Sequence, residues 1–240
     1  PIQAEAFIMK DNDTLHHYAL KAAMNDIAFS KDANESFILV VGKDGYSRYE
    51  REFTFNQLKQ ELTGEPLAVT LNPALTMAAY GSEFQISLTG NQEGEITVDW
   101  GDGTQNTYTI STDFTDISHS YATGGNHFIS ITGSLDKVTE FYSYYGYGQM
   151  DRINLEQLTE LYDLRIGITR SPESIDLRQN KKLAQIDLAG CEQLETVLLP
   201  EDNKIIALTL DGPNNISTSS IDDIIGKLHR YEANIETRFQ

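Results

Sequence analysis

The chain has 240 residues, with 18 Lys and Arg against 36 Asp and Glu, a formal charge of −18 at pH 7. That balance repels phosphate backbones and anionic lipid, which argues against a nucleic-acid partner. Hydrophobic residues make up 40% of the chain and aromatics 10%, enough to bury a core, and no run of about 18 apolar residues could span a membrane.

The single cysteine, Cys191, excludes an internal disulfide framework and a cysteine-based zinc site. The opening Pro1-Ile2-Gln3-Ala4-Glu5 lacks the basic start and apolar stretch of an export signal. Either a signal has been removed or there is none, and a start at Pro also fits removal of an initiator Met.

Residues 1–66 read as a small α+β segment. Asp13 or Thr14 caps a predicted helix in which Leu15, Tyr18, Ala19, Ala22, Ala23 and Ile27 fall on one stripe. His16 and His17 are neighbours on that helix and point in different directions, so they are not expected to share a metal. Asp11-Asn12-Asp13 begins like a calcium loop, but Leu15 stands where the next oxygen ligand is needed. Ser36-Phe37-Ile38-Leu39-Val40-Val41 reads as a buried strand, ended by the turn Gly42-Lys43-Asp44-Gly45, with Tyr46 to Phe53 as its hairpin partner. Thr54 opens a short helix with Phe55, Leu58 and Leu62 inward, closed by Gly64-Glu65-Pro66.

Residues 67–137 change to alternation. Phe84, Ile86 and Leu88, then Ile96, Val98 and Trp100, then Phe128, Ile129 and Ile131 fall in short runs between Gly- and Asn-rich turns, the pattern of an antiparallel sandwich. Asp102-Gly103 is a preferred hairpin pair, because Gly accepts positive φ without steric cost. Trp100 is expected in the inter-sheet core, with a sugar site as the alternative. Asp99 and Asp102 are paired carboxylates of the kind calcium takes, but the favoured expectation is that Asp102 caps its own turn. The run Val98-Asp99-Trp100-Gly101-Asp102-Gly103-Thr104, followed by His119-Ser120-Tyr121 and the segment to Ile131, resembles the polycystic-kidney-disease (PKD) domain. The resemblance covers about 70 residues and implies an immunoglobulin-like sandwich acting as an extracellular spacer or binding module, with His119 a structural residue.

Residues 138–240 carry an internal period. The pairs Ile153/Leu155, Leu164/Ile166, Ile175/Leu177, Ile186/Leu188, Val197/Leu199 and Leu208/Leu210 recur every 11 residues. Met150, Leu161, Leu183, Leu194 and Ile205 precede most of these pairs by three positions. Leu183-x-x-Ile186-x-Leu188-x-x-Cys191 fits the leucine-rich-repeat template, with Asn180 and Asp202 holding the Cys191 position in neighbouring units. An 11-residue step is half of an ordinary repeat of about 22, so six short strands make roughly three coils with extended segments on both sides. The pattern resembles the irregular leucine-rich repeats of the BspA-like group, found in surface proteins of Bacteroides-type gut bacteria. Ser217 to Ser220 open a capping helix whose Ile221, Ile224, Ile225 and Leu228 would cover the last coil, and Asp222 and Asp223 suit the positive end of its dipole. Ile235, Thr237 and Phe239 alternate as a final strand would.

The expected fold class is therefore multidomain and mainly β: residues 1–66, a PKD-like β-sandwich over 67–137, and a leucine-rich-repeat solenoid with its C-terminal cap over 138–240. Motifs for nucleophilic, metal-hydrolase, phosphate-loop or dinucleotide chemistry are missing from the sequence, so no catalytic residue is assigned. No cofactor is expected, calcium being the one metal left open. Candidate binding residues are Tyr142, Tyr144, Tyr145 and Tyr147, from the run Phe141-Tyr142-Ser143-Tyr144-Tyr145-Gly146-Tyr147, whose flat amphipathic rings suit recognition or, alternatively, pack the joint between sandwich and repeats. Asn154, Asp176 and Leu198 on one side of the repeats, and Arg165, Asp187 and Thr209 on the other, are the mid-strand residues facing outward. The functional expectation is a non-enzymatic binding or adhesion protein of the bacterial surface or exterior, with a protein or glycan partner. A structural component of a phage virion or contractile tail, or an accessory module of a glycan-utilisation system, are the alternatives.

Overall fold

The computed structural model describes residues 4–10, 13–20, 35–61, 67–143, 149–167, 170–212 and 214–229. It is mainly β, with two α-helices among these residues and no helix long and apolar enough to cross a membrane. The chain divides into two compact units, Pro1–Pro73 and Ala74–Gln240.

The first unit is an antiparallel sheet of β1 (Glu5–Lys10), β2 (Asp13–Ala19), β3 (Ser36–Gly42) and β4 (Tyr49–Thr54), in the order β2-β1-β3-β4. Alternation in β1 and β3 puts Ala6 opposite Val41 and Ile8 opposite Leu39, and Phe37 faces Phe53 across the next pair. These side chains form the unit's core, with Leu67, Val69 and Leu71 packed against it.

The helix expected from Asp13 or Thr14 is instead β2. Glu5 to Lys10 offers it a sheet edge, and cross-strand pairing outweighs a helical stripe that is equally compatible with a strand. Leu15 falls at the bulge where the register shifts and is 36% exposed, so it is no core residue. His17 stacks on Phe7 with ring centroids 4.4 Å apart, whereas Ala22, Ala23 and Ile27 lie outside the described residues. After β4, α1 (Phe55–Glu61) begins at a reciprocal cap: Gln57 N–H donates to Thr54 Oγ1, and Thr54 N–H donates to Gln57 Oε1.

The second unit is organised by two long strands, β5 (Leu75–Gly90) and β8 (Thr115–Gly133), paired antiparallel from Leu75–Ile131 to Leu88–Thr115. Between them in sequence lie β6 (Gly94–Asp99) and β7 (Gln105–Ile110), and β6 pairs with both β8 and β7. On its other edge β5 takes two partners. Its first half pairs with β10 (Gln149–Asn154), and its last residues pair with β9 (Val138–Ser143). From β9 a parallel ladder continues through β11 (Asp163–Ile166), β13 (Gln185–Asp187) and β15 (Ala207–Thr209). A second parallel pair is β12 (Ser174–Asp176) with β14 (Thr196–Leu198).

Strands that follow one another at the 11-residue step thus alternate between two ladders, and neighbours within a ladder are a double step apart, as Leu164, Ile186 and Leu208 are. Inward residues of both ladders join Phe84, Ile86, Trp100 and Ile131 in one continuous core. Buried polar groups serve the turns: Asn180 Nδ2 donates to the carbonyls of Leu155 and Leu158, both at 2.9 Å, and Cys191 Sγ lies 3.1 Å from the Ile166 carbonyl. In the next unit this position belongs to Asn203, 6% exposed, while Asp202 is exposed. The reason is chemical. The Pro200 and Lys227 carbonyls need a donor, which an amide supplies and an ionised carboxylate lacks.

The final helix, α2 (Thr218–His229), is capped by Ser217, whose Oγ accepts from Ser220 N–H at 3.2 Å. Ile224 and Leu228 are buried, but Ile221 and Ile225, expected on the same covering stripe, are 37% and 46% exposed. Their place against β14 is taken by polar contacts. Ser220 Oγ accepts from Val197 N–H, and the buried Lys227 ammonium reaches the Leu199 carbonyl and the Asp223 carboxylate. Ile235, Thr237 and Phe239 lie outside the described residues.

Candidate functional site

Strand register places outward residues from β9 to β15 in rows. Tyr142 stands opposite Arg165, Arg165 opposite Asp187, and Asp187 opposite Thr209. One pleat along, Glu140, Asp163, Gln185 and Ala207 form a second row. Because β9 also pairs with β5, the first row extends to Ser87 and then to Asp116 of β8, whose carboxylate accepts from the Ser87 hydroxyl.

The densest chemistry on this face surrounds Tyr142, which is only 4% exposed. Its hydroxyl lies 2.7 Å from Glu140 Oε2 and 3.1 Å from Asp163 Oδ2. Arg165 forms a two-point pair with Asp163, Nε to Oδ1 at 3.1 Å and Nη2 to Oδ2 at 2.8 Å, and its guanidinium carbon sits 5.1 Å from the Tyr142 ring centroid. Burial, followed by the Glu140 hydrogen bond and the charge of Asp163, pushes the Tyr142 phenol well above its ordinary range, with Arg165 opposing. The hydroxyl therefore keeps its proton and acts as a donor. Phe114 packs edge-on against this ring, centroids 5.1 Å apart, and remains 62% exposed. The result is a protruding phenyl ring beside two carboxylates, a guanidinium and a phenol, all held by one another.

The remaining sequence-predicted residues are dispersed. Asn154 and Asp176 belong to β10 and β12, away from the Tyr142 row. They share a local role with Asp187: each side chain accepts from the backbone N–H two residues on, at Glu156, Arg178 and Ala189, fastening the turn that follows its strand. Asp176 is also paired with Arg178, whose hydrogen bond holds its carboxyl below the usual range. Tyr144, Tyr145 and Tyr147 lie outside the described residues. Sequence reasoning missed Phe114, Glu140 and Asp163. A bulky ring in the polar turn Ser111-Thr112-Asp113-Phe114-Thr115 was the available signal for the first, and two-residue alternation from Tyr142 and Arg165 for the others.

The Trp100 hairpin is built differently. Trp100 is fully buried, and its indole N–H donates to Asn106 Oδ1 at 2.8 Å. Gly101, at φ +77°, lies so close to the Phe128 carbonyl that any Cβ would be 2.2 Å from its oxygen. Asp102 accepts from Thr104 N–H and from the Thr104 hydroxyl, and its other oxygen is 2.8 Å from His119 Nε2. Asp99 accepts from Gly101 N–H and the Gln105 amide. Burial raises the Asp102 carboxyl, but the bonds from Thr104 and His119 outweigh it and bring the group down to about 2. His119 stacks on Trp100 at 4.8 Å, and Tyr121 meets His119 edge-on while donating to the Trp100 carbonyl at 3.0 Å. These carboxylate oxygens serve the turn, and among the described residues no group of three or more His, Cys, Asp or Glu converges as a metal site.

Comparison with family models, curated proteins and solved structures returned no match.

Proposed function

We propose that this chain is a non-enzymatic binding protein of the bacterial surface or exterior. In this reading a PKD-like sandwich carries a short leucine-rich solenoid, and the outward sheet face contacts a protein or glycan. The observation that carries it is the in-register row Tyr142–Arg165–Asp187–Thr209, on a sheet that runs without a break from β5 and β8 into the parallel ladder. Such a face can vary its outward side chains while the inward Phe141, Leu164, Ile186 and Leu208 keep the core. The hairpin around Trp100 and the double-step ladder support the two resemblances read from sequence.

The test is an array of immobilised glycans and bacterial and host surface proteins, probed with the wild-type chain and with an Arg165→Ala, Asp187→Ala double variant. Binding that the double variant loses, with no turnover of the captured ligand, is the expected result. Binding indifferent to both substitutions, or reproducible hydrolysis of the ligand, would overturn the reading.

A further inference from the structure

Resting on that reading, we propose that the ligand is a neutral saccharide, with one pyranose ring stacked on Phe114 and adjacent hydroxyls held by Glu140 and Arg165, which Asp163 positions from beneath. A sugar ring has an apolar face of C–H bonds and an equator of hydroxyls. It therefore needs an exposed aromatic plane with donors and acceptors at its edge. Phe114 supplies the plane, being 62% exposed although it packs on Tyr142.

The polar edge is fixed in advance. Tyr142 tethers Glu140 and Asp163 through one hydroxyl, and Arg165 clamps Asp163 at two points. Little side-chain freedom is left to lose on binding, which favours a small ligand with few contacts. Glu140 Oε1, with no bond to Tyr142, can accept from a sugar hydroxyl, and the guanidinium can donate to a ring or hydroxyl oxygen, while the buried Asp163 serves only to hold Arg165 and Tyr142 in place.

Scale and charge narrow the class. Phe114 directly precedes β8, Tyr142 lies on β9 and Arg165 on β11, with β5 between β8 and β9; four adjacent strands span about 14 Å, the footprint of two or three sugar rings. A protein partner would need roughly 800 Å². Along the ladder the rows fade into Gln185, Ala207 and Thr209, without another aromatic or arginine anchor. The carboxylates of Asp116, Glu140, Asp163 and Asp187 outnumber Arg165 on this face, which turns away uronates and sulfated or sialylated sugars.

The experiment titrates the whole chain with soluble neutral oligosaccharides of glucose, mannose, galactose, xylose and N-acetylglucosamine, and with sulfated and sialylated counterparts, at low and high salt. At least one neutral series should bind with little salt dependence, and the anionic series should not. Phe114→Ala should weaken binding by about tenfold or more, and Glu140→Gln should also weaken it, with unfolding curves near wild type. Tyr80→Ala, which removes another exposed aromatic outside this face, should leave affinity unchanged. Three results would overturn the proposal: neutral sugars binding Phe114→Ala as well as wild type, a preference for anionic sugars, or no saccharide binding at all. If the last is accompanied by a protein ligand lost on Arg165→Ala, Asp187→Ala, the binding reading stands and only the sugar class fails. Absence of any ligand on both arms would remove both.

Discussion

Tyr142 has one phenolic proton and two carboxylate oxygens within reach of it. Removing only the hydroxyl, as Tyr142→Phe does, keeps the ring beside Phe114 and Arg165 but takes from Glu140 the donor it has among the described residues and leaves Asp163 to Arg165. The expected loss is about 1–3 kcal/mol, read from urea unfolding, and a variant as stable as wild type would show that water replaces the hydroxyl without cost. Asp102 answers to acid instead. Its carboxyl stays ionised down to about 2 against an ordinary 3.8, so the stability it adds is present above about 4 and is lost as pH falls through 2. Asp102→Asn should flatten the acid limb of stability against pH within that window. An unchanged limb would place the titrating group elsewhere.

Within elements, local or periodic chemistry was readable in advance and register was not. The Asp102-Gly103 turn, the alternation of Phe84, Ile86 and Leu88, and the 11-residue step each repeat a short rule, and the structure contains each. β2 was misread because a helical stripe of Leu15, Tyr18 and Ala19 carries no information about the edge of β1 waiting to pair with it. The Tyr142 cluster was hidden for the same reason: Phe114, Glu140 and Asp163 come from separate segments and meet only through the pairing of β8, β5, β9 and β11. On α2 the apolar stripe was visible, but Ser220 binds β14 and Lys227 the Leu199 carbonyl just beyond it, and that choice of N–H and carbonyl depends on where the strand ends. The inward register of the ladder can be tested directly. Ile186 is 2% exposed between Leu164 and Leu208, so Ile186→Asp buries an unpaired charge and should cost more than about 4 kcal/mol or prevent folding of the unit. A soluble variant with an unchanged unfolding midpoint would put Ile186 on the outside.

At the scale of the molecule, the second unit grows from the two halves of β5, one leading through β9 into the longer ladder and the other receiving β10. The alternation of strands between ladders then sets a rule for changes in chain length. Excising one double step, residues 164–185, joins Asp163 to Ile186 and leaves every later strand in its own ladder, with α2 still on β14. Excising a single step, residues 164–174, would send every later strand to the opposite ladder and carry α2 to the wrong end. The longer deletion should therefore keep a cooperative urea transition with a slope reduced in proportion to the lost surface, while the shorter one abolishes it; equal behaviour of the two would refute the rule. A lineage descended from such a chain can lengthen or shorten its face without rebuilding either end, provided that it does so in whole double steps, so the gaps that separate its members should fall in multiples of that unit.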